Sequence, residues 1–511
     1  MREVELKFAI DAQSRARLAA CGALAGVKPR RSPMTSLYLD TSAGALAARH
    51  MTLRLRHAGG RWIAGLKGGR GGAGGMHTRD EWEFERDDPV VDLARFAGTP
   101  LAALPGANRL HRRLVPVFQV DVVRTAWIVA PPGAKLEVAL DVGEVRAHAG
   151  RAAISEVEIE SLEGDAGAAF ELAARILDEV RMRPSAVTKA ERGYRLARAT
   201  PPVPVHARPV VLDASMTPRA AARDLVGAAL AQLQANEEGV LDTEDAEFVH
   251  QARVALRRMR STLRIFRTVI GRERSRAWRA ALGELASALG AARDWDVFAL
   301  ETLPPLAAEC ARGALPKRLA HRANDRRLTA RTAARAAFAA PRYARTVLDI
   351  ARWMAELERV PAPGTTCTLE ELARRVIRKR HKRVRDGARR VAKLDAAGRH
   401  ALRIDVKRLR YGVEGLGPLL APHRAHHYRA ALVDLQDALG RANDAIAAQG
   451  LLHALAPPAA FSARAGLLLE ARARGDIPHL EKLARRLERH APGFRQVRLD
   501  PGPLPRQRRT G

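Results

Sequence analysis

Cysteine is nearly absent from this chain: among 511 residues there are three, Cys21, Cys310 and Cys367, far apart and in no paired spacing. That excludes a disulfide framework and a cysteine zinc site, and it fits a reducing compartment. Aromatic residues are also sparse, at 4% against a hydrophobic fraction of 47%. The core must therefore be built mainly from Ala, Leu and Val, a composition that favours helices and rules out a largely disordered chain. No uninterrupted apolar run is long enough to span a bilayer, and Met1-Arg2-Glu3-Val4-Glu5-Leu6-Lys7 is too charged for a secretory leader. The expectation is a soluble, cytoplasmic protein with no membrane partner. What is in short supply most tellingly is acid, because 87 Lys and Arg face 56 Asp and Glu, for a net charge of +31.

The excess is not evenly spread. Residues 1–200 hold 30 Lys and Arg against 24 Asp and Glu, and 201–511 hold 57 against 32. A field of that sign draws polyanions, whether nucleic acid, anionic lipid or inorganic polyphosphate. Arg far outnumbers Lys, which suits two-pronged phosphate contacts, although a GC-rich genome gives the same bias. At this length more than one domain is expected.

Two textures meet near residue 200. Segments 2–9, 51–58, 61–67, 79–86, 117–129, 135–142 and 153–162 alternate with period two and are separated by Gly and Pro, as in an antiparallel sheet. Helices are predicted near 11–24, 91–104 and 167–181. A proline-rich stretch at 201–214 reads as a linker. From 215 to 494 apolar residues recur three and four apart, the pattern of an all-α bundle. Within it His250-Gln-Ala-Arg-Val-Ala-Leu-Arg-Arg-Met-Arg260 matches His400-Ala-Leu-Arg-Ile-Asp-Val-Lys-Arg-Leu-Arg410, and Leu289-Gly-Ala-Ala-Arg-Asp294 matches Leu439-Gly-Arg-Ala-Asn-Asp444, both 150 residues apart. Two half-bundles, about 215–345 and 365–490, around a pseudo-two-fold axis are the expectation. The Pro- and Arg-rich tail, 495–511, is expected to be disordered.

The charged alternates of the predicted strands sort by sign. Glu3, Glu5 and Lys7 share one face against Val4, Leu6 and Phe8, Arg54 and Arg56 oppose Leu53 and Leu55, Arg79, Glu81 and Glu83 oppose Trp82 and Phe84, and Glu156, Glu158 and Glu160 oppose Val157 and Ile159. Any one strand reads equally well as a solvated sheet face. Together, acidic strands and an Arg strand turned into a closed barrel would compensate one another and leave room for divalent cations and phosphates. The run Gly68-Gly-Arg-Gly-Gly-Ala-Gly-Gly75 lacks the Gly-Lys-Ser/Thr of a phosphate loop and reads as a flexible hairpin loop that would gate the barrel mouth.

These residues resemble the CYTH family, the triphosphate tunnel metalloenzymes. Glu3-x-Glu5-x-Lys7 is similar to its ExExK signature, and Tyr38-Leu-Asp-Thr41, Leu53-Arg-Leu-Arg56, Leu66-Lys67, Arg124, Glu137 to Asp141, Glu156-x-Glu158-x-Glu160 and Lys189-Ala-Glu-Arg-Gly-Tyr194 follow in order over residues 1–200. The stretch His77-Thr-Arg79-Asp-Glu81-Trp-Glu83 most resembles the bacterial inorganic triphosphatase branch. The resemblance implies an eight-stranded antiparallel tunnel, with Mg²⁺ or Mn²⁺ held by Glu3, Glu5, Glu156, Glu158 and Glu160, and with Asp141 as a further acidic participant. Of these Glu160 is the one the family can spare, since it needs only one carboxylate pair on that strand. It implies tripolyphosphate held by Lys7, Arg54, Arg56, Lys67, Arg124 and Lys189, with Glu5, Lys7 and Glu158 catalytic. Glu81 and Glu83 are expected to line the wall. Adenylyl cyclase and thiamine triphosphatase activities stay open, as does a binding protein whose barrel is vestigial.

In the second half His250, Arg253, Arg257, Arg260 and Arg264 fall on one helical stripe, and His400, Arg403, Lys407 and Arg410 repeat it. A solvated helix face is the plain alternative, and metal ligation by His250 and His400 lacks partners at ligand spacing. Asp294 and Asp444 either cap helices, the favoured reading, or orient Arg side chains of the stripe, and His423, His426 and His427 are expected to sit on an exposed turn. His250-x-x-Arg253-x-x-x-Arg257-Arg258 and His400-x-x-Arg403-x-x-x-Lys407-Arg408 resemble the CHAD family over residues 215–490. That resemblance implies a basic channel between half-bundles that binds long-chain polyphosphate, with association to polyphosphate granules. No stacking aromatics interleave with the stripe, so no specific nucleic-acid partner is expected.

Overall fold

The computed structural model describes residues 2–69, 73–310, 313, 315–359, 367–420, 422–474 and 477–490; the tail at 495–511 lies outside them. The chain divides into two compact units. One comprises residues up to 209 with 222–362, and the other 210–221 with the residues from 363 onward. Most of the helices expected to make the first half-bundle thus belong to the same unit as the N-terminal sheet.

The sheet has nine antiparallel strands: β1 (Arg2–Ile10), β2 (Arg30–Thr41), β3 (Met51–Ala58), β4 (Arg61–Gly68), β5 (Met76–Arg86), β6 (Leu114–Val129), β7 (Ala134–Ala147), β8 (Gly150–Gly164) and β9 (Met182–Pro184). Their order is β5-β4-β3-β2-β6-β7-β8-β1-β9, and β5 also pairs with β1, so the sheet returns on itself. Nine strands stand where eight were expected; the ninth is a three-residue strand on the outer part of β1, too short to leave a periodic trace.

Closure turns every second side chain inward. The outward alternates are covered. Leu53, Leu55 and Leu66 pack under Phe96, Leu101, Leu104 and Leu110. Helix α1 (Ala12–Ala20) is capped by Asp11, which accepts from Ser14 N at 2.7 Å, and α2 (Gly167–Glu179) buries Phe170, Leu172, Ala173 and Ile176. The helix predicted at 91–104 is instead two 3₁₀ turns, Leu93–Phe96 and Pro100–Ala103. Pro100 lacks a donor and disfavours helical backbone at Thr99, whose hydroxyl caps the second turn at 3.2 Å. Helix α3 (Lys189–Ala197) starts in a capping box: Thr188 Oγ1 accepts from Glu191 N at 3.1 Å, and Glu191 Oε2 accepts from Thr188 N at 2.9 Å.

The first unit continues with α4 (Pro218–Asp242), α5 (Ala246–Ile265), α6 (Arg267–Ile270), α7 (Arg272–Val297), α8 (Leu303–Cys310), α9 (Leu315–Phe338) and α10 (Pro341–Arg359). The linker is pinned within this unit, because the Asn236 amide exchanges 2.9 Å bonds with both backbone groups of Val205. Asp296 of α7 and Arg331 of α9 form a fully buried ion pair. In the other unit α11 (Leu369–Ala388), α12 (Ala396–Leu416), α13 (Pro422–Ala454), α14 (Ala459–Arg474) and α15 (Ile477–Arg489) pack together. Beyond residue 200 the described residues form no strand, and no helix is long and apolar enough to cross a membrane. All three cysteines are free.

Candidate functional site: a charged tunnel

The lumen holds a cavity of about 160 Å³, and its wall follows from strand parity. Glu5 and Lys7 enter from β1, Arg54 and Arg56 from β3, Lys67 from β4, Glu81 and Glu83 from β5, Arg124 from β6, Asp141 from β7, Glu158 and Glu160 from β8, and Lys189 from the first residue of α3. The inward charges deduced from alternation are therefore together, save Glu3 and Arg79, whose side chains lie outside the described residues. Glu156 sits behind the lining, 2% exposed and within 3.2 Å of Lys7.

Cross-strand register pairs the charges. Lys7 lies opposite Glu158 and Glu5 opposite Glu160; Arg124 lies opposite Asp141. Lys7 Nζ is 2.8 Å from Glu158, and Lys189 Nζ is 2.7 Å from Asp141, 2.5 Å from Glu156 and 2.7 Å from Glu158. Arg124 reaches Glu158 at 2.6 Å and Glu137 at 3.3 Å. On the other wall Glu81 and Glu83 hold Arg54 at 2.9 and 2.8 Å, Glu83 holds Arg56 at 2.9 Å, and Glu81 holds Lys67 at 2.9 Å.

The electrostatics divide the acids into two groups. Burial works to keep Glu158 protonated, but Lys189, Lys7 and Arg124 outweigh it and its pKa lies well below the usual range. Burial likewise opposes the charges on Lys7 and Lys189, yet their carboxylate neighbours raise both pKa values. Glu5 and Glu160 behave oppositely. Burial, then Glu158, raises Glu5, and burial, then Glu5, pushes Glu160 up to about 7. The two half-buried carboxylates face each other, and the ion pair recorded on Glu5 among the described residues is the loose one to Lys7 at 3.7 Å. Glu5 Oε1 is buried with no hydrogen-bond partner.

A divalent cation fits this donor set. Carboxylate oxygens suit hard Mg²⁺ or Mn²⁺, the buried Glu5 Oε1 has no hydrogen-bond partner and Lys7 only at 3.7 Å, and Asp141, Glu156 and Glu158 bring oxygens within 4.8 Å of one another. That second cluster already faces Lys7, Arg124 and Lys189, so its net demand for a metal is smaller.

Sequence reasoning missed Met34, Ser36 and Tyr38 of β2, Thr52, His77 and Thr188, all in the lumen wall. Pro33 and the absence of charge on its inward residues Met34, Ser36 and Tyr38 hid β2; Thr52 was recoverable, two residues from Arg54.

The basic stripes lie one in each unit. On α5, His250, Arg253, Arg257, Arg260 and Arg264 are all half-buried. Gly290 and Gly283 of α7 clear space for two of them: a Cβ there would lie 3.1 Å from Arg253 and 3.3 Å from Arg260. The Nε of Arg260 is buried with no hydrogen-bond partner. Burial, with Arg293, Arg257 and Arg253, holds the His250 pKa below its ordinary value against the pull of Glu247. On α12, His400 Nδ1 lies 2.6 Å from Asn443 Oδ1, Lys407 and Arg410 are half-buried, and Arg408 is exposed, bonded to Asp405 at 3.1 Å. Asp294 and Asp444 lie inside α7 and α13 and cap nothing; they face Arg253 at 3.7 Å and Arg403 at 3.5 Å. His426 and His427 belong to the first turns of α13 rather than to a loop, and the side chain of His423 is outside the described residues.

A closed antiparallel sheet with opposed acids and bases inside, followed by helices that carry two basic stripes, defines a two-part class. Residues 1–194 match the CYTH domain and residues 224–453 the CHAD domain, and the chain carries a CYTH domain followed by a CHAD domain. It is 30% identical to the inorganic triphosphatase of Haemophilus influenzae over 201 residues, 38% of this chain and 55% of that protein, so it spans about half the length of that curated relative. The crystal structure of the CHAD domain from the plant Ricinus communis is 31% identical, with a TM-score of 0.50, over 57% of this chain and 99% of that one.

Proposed function

We propose that the tunnel hydrolyses inorganic tripolyphosphate to pyrophosphate and phosphate with Mg²⁺ or Mn²⁺, and that the basic helices bind long-chain polyphosphate. The observation that carries the catalytic reading is the lumen itself: six cationic side chains, Lys7, Arg54, Arg56, Lys67, Arg124 and Lys189, converge with Glu5, Glu158 and Glu160 on one small cavity. By volume the cavity suits on the order of ten waters, the scale of a short phosphate chain.

In this reading the six cations bind the phosphoryl oxygens and align the chain for in-line attack, which is most of what phosphoryl transfer requires. Glu81 and Glu83 hold Arg54, Arg56 and Lys67 in place, and Asp141 and Glu156 hold Arg124 and Lys189. Glu5 and Glu160 would hold the metal, with Glu158 within reach, and the bound metal would neutralise phosphoryl charge. Water adds to the terminal phosphorus, the anhydride P–O bond breaks, pyrophosphate leaves, and a nearby carboxylate takes the proton. No covalent nucleophile is needed. The cellular setting that follows is cytoplasmic, at polyphosphate granules.

Purified protein should release phosphate from tripolyphosphate only with a divalent cation, faster than from ATP or thiamine triphosphate assayed beside it. Glu5→Gln should abolish turnover and weaken Mn²⁺ binding. Full activity in that variant would refute the metal assignment, and inactivity of the wild type with intact polyphosphate binding would favour a vestigial barrel.

A further inference from the structure

Lys7 reaches the lumen from a stretch of β1 whose backbone is clasped on both sides. Its N–H donates to Gly75 O at 2.8 Å, and its carbonyl accepts from Ser185 N at 2.9 Å. The segments that supply those partners are tied to one side chain of α4. Gln234 Oε1 accepts from Gly74 N at 2.7 Å, and Gln234 Nε2 donates to Pro184 O at 3.4 Å. The circuit closes from Gln234 through Gly74 and Gly75 to Lys7, then through Ser185 and Pro184 back to Gln234.

The circuit is tightly built. Gln234 is 4% exposed, and a buried amide that loses a partner at either end is left with a costly unsatisfied polar group. Gly74 and Gly75 hold φ of +76° and +78°, where a side chain is strained, and a Cβ would lie 2.7 Å from Ala351 of α10 and 2.8 Å from Lys7 O respectively. This end of the glycine run is therefore a fitted clasp. One turn further along α4, Glu237 is bound by Arg183 of β9 and by Tyr343 of α10 at 2.8 Å, a second tie between the same helix and the same strand.

We propose that Gln234, a residue of the CHAD domain, is a positioning residue for Lys7 in the CYTH tunnel, so that the helical domain completes the phosphate site of the barrel. The inference rests on the triphosphatase reading for its kinetic consequence. Lys7 Nζ sits among Glu5, Glu156 and Glu158 at 2.8–3.7 Å, and slack in its backbone displaces the ammonium from the phosphate it is to bind.

The test compares full-length wild type, Gln234→Leu, Gln234→Glu and Arg345→Ala, the last removing an exposed ion pair between α10 and α2 away from Lys7. Gln234→Leu should raise the KM for tripolyphosphate about tenfold, misplacement of a positioned group by a fraction of an ångström sufficing for that. The number of binding sites per chain should stay unchanged, which partial unfolding would not allow. Gln234→Glu keeps the acceptor for Gly74 and should fall between; it carries the test if the leucine variant does not fold. Arg345→Ala should match wild type. Amide hydrogen exchange in the peptide containing Lys7 should quicken in both Gln234 variants. A KM within twofold of wild type, or an equal rise in Arg345→Ala, would overturn the proposal. An inactive wild type would sink the triphosphatase reading instead, and exchange at Lys7 would then decide alone, unchanged exchange overturning the clasp.

Discussion

Arg124 grips Asp141 with both arms of its guanidinium, Nε at 2.8 Å from Oδ1 and Nη2 at 2.8 Å from Oδ2. The two face each other across β6 and β7, and Lys189 adds a contact to Oδ2 at 2.7 Å. Both oxygens of this fully buried carboxylate are taken by cations, so Asp141 serves as their anchor. Asp141→Asn should raise the KM for tripolyphosphate about tenfold, the scale of one charge-assisted hydrogen bond, and leave Mn²⁺ affinity by titration calorimetry unchanged. Lost Mn²⁺ binding with KM intact would place Asp141 among the metal ligands.

The Arg331–Asp296 pair in the helices is 1% and 0% exposed, joined at 3.0 and 3.2 Å. Arg331→Ala strands a buried carboxylate, with only Arg327 at 3.4 Å remaining opposite Asp296. A loss of about 3 kcal/mol is expected, read by denaturant unfolding. A change below about 1 kcal/mol would show that Arg327 takes over the role.

Gly193 of α3 lies against Phe118, whose ring atoms would be 2.1–2.6 Å from a Cβ. Gly to Ala in a helix ordinarily gains about 1 kcal/mol. Here overpacking should reverse the sign, costing about 1–3 kcal/mol. Because Lys189 opens the same helix, tripolyphosphate binding should weaken as well. A rise in Tm would show that the aromatic packing yields.

Arg253→Ala with Arg257→Ala, and Arg403→Ala with Lys407→Ala, should each weaken binding of long-chain polyphosphate by about tenfold or more, on the scale of a lost charge-assisted contact. Fluorescence competition checks it, with DNA at equal phosphate concentration as the rival. Displacement of polyphosphate by DNA would turn the reading toward nucleic acid.

The inward charges were legible because a closed sheet imposes period two on sequence: Glu3-x-Glu5-x-Lys7, Arg54-x-Arg56 and Glu156-x-Glu158-x-Glu160 expose their shared faces without coordinates. β2 was not legible, since its inward residues Met34, Ser36 and Tyr38 carry no charge and Pro33 argues against a strand. Between the two readings of Asp294 and Asp444, capping and facing an arginine, the sequence favoured the wrong one for a related reason. Spacing marks where a carboxylate recurs, but the helix around it decides whether it caps an end or faces an arginine.

Local pattern, then, determined the strands with charged faces, the change of texture near residue 200 and the two basic helical stripes, because each follows from a periodicity shorter than one element. Only the tertiary structure decided which acid meets which base, that Glu5 and Glu160 oppose each other across β1 and β8, and that Gln234 of a distant helix ties together the two segments bonded to the backbone of Lys7. Those depend on strand register and on packing between segments from 17 to 160 residues apart in sequence, which no short-range repeat encodes.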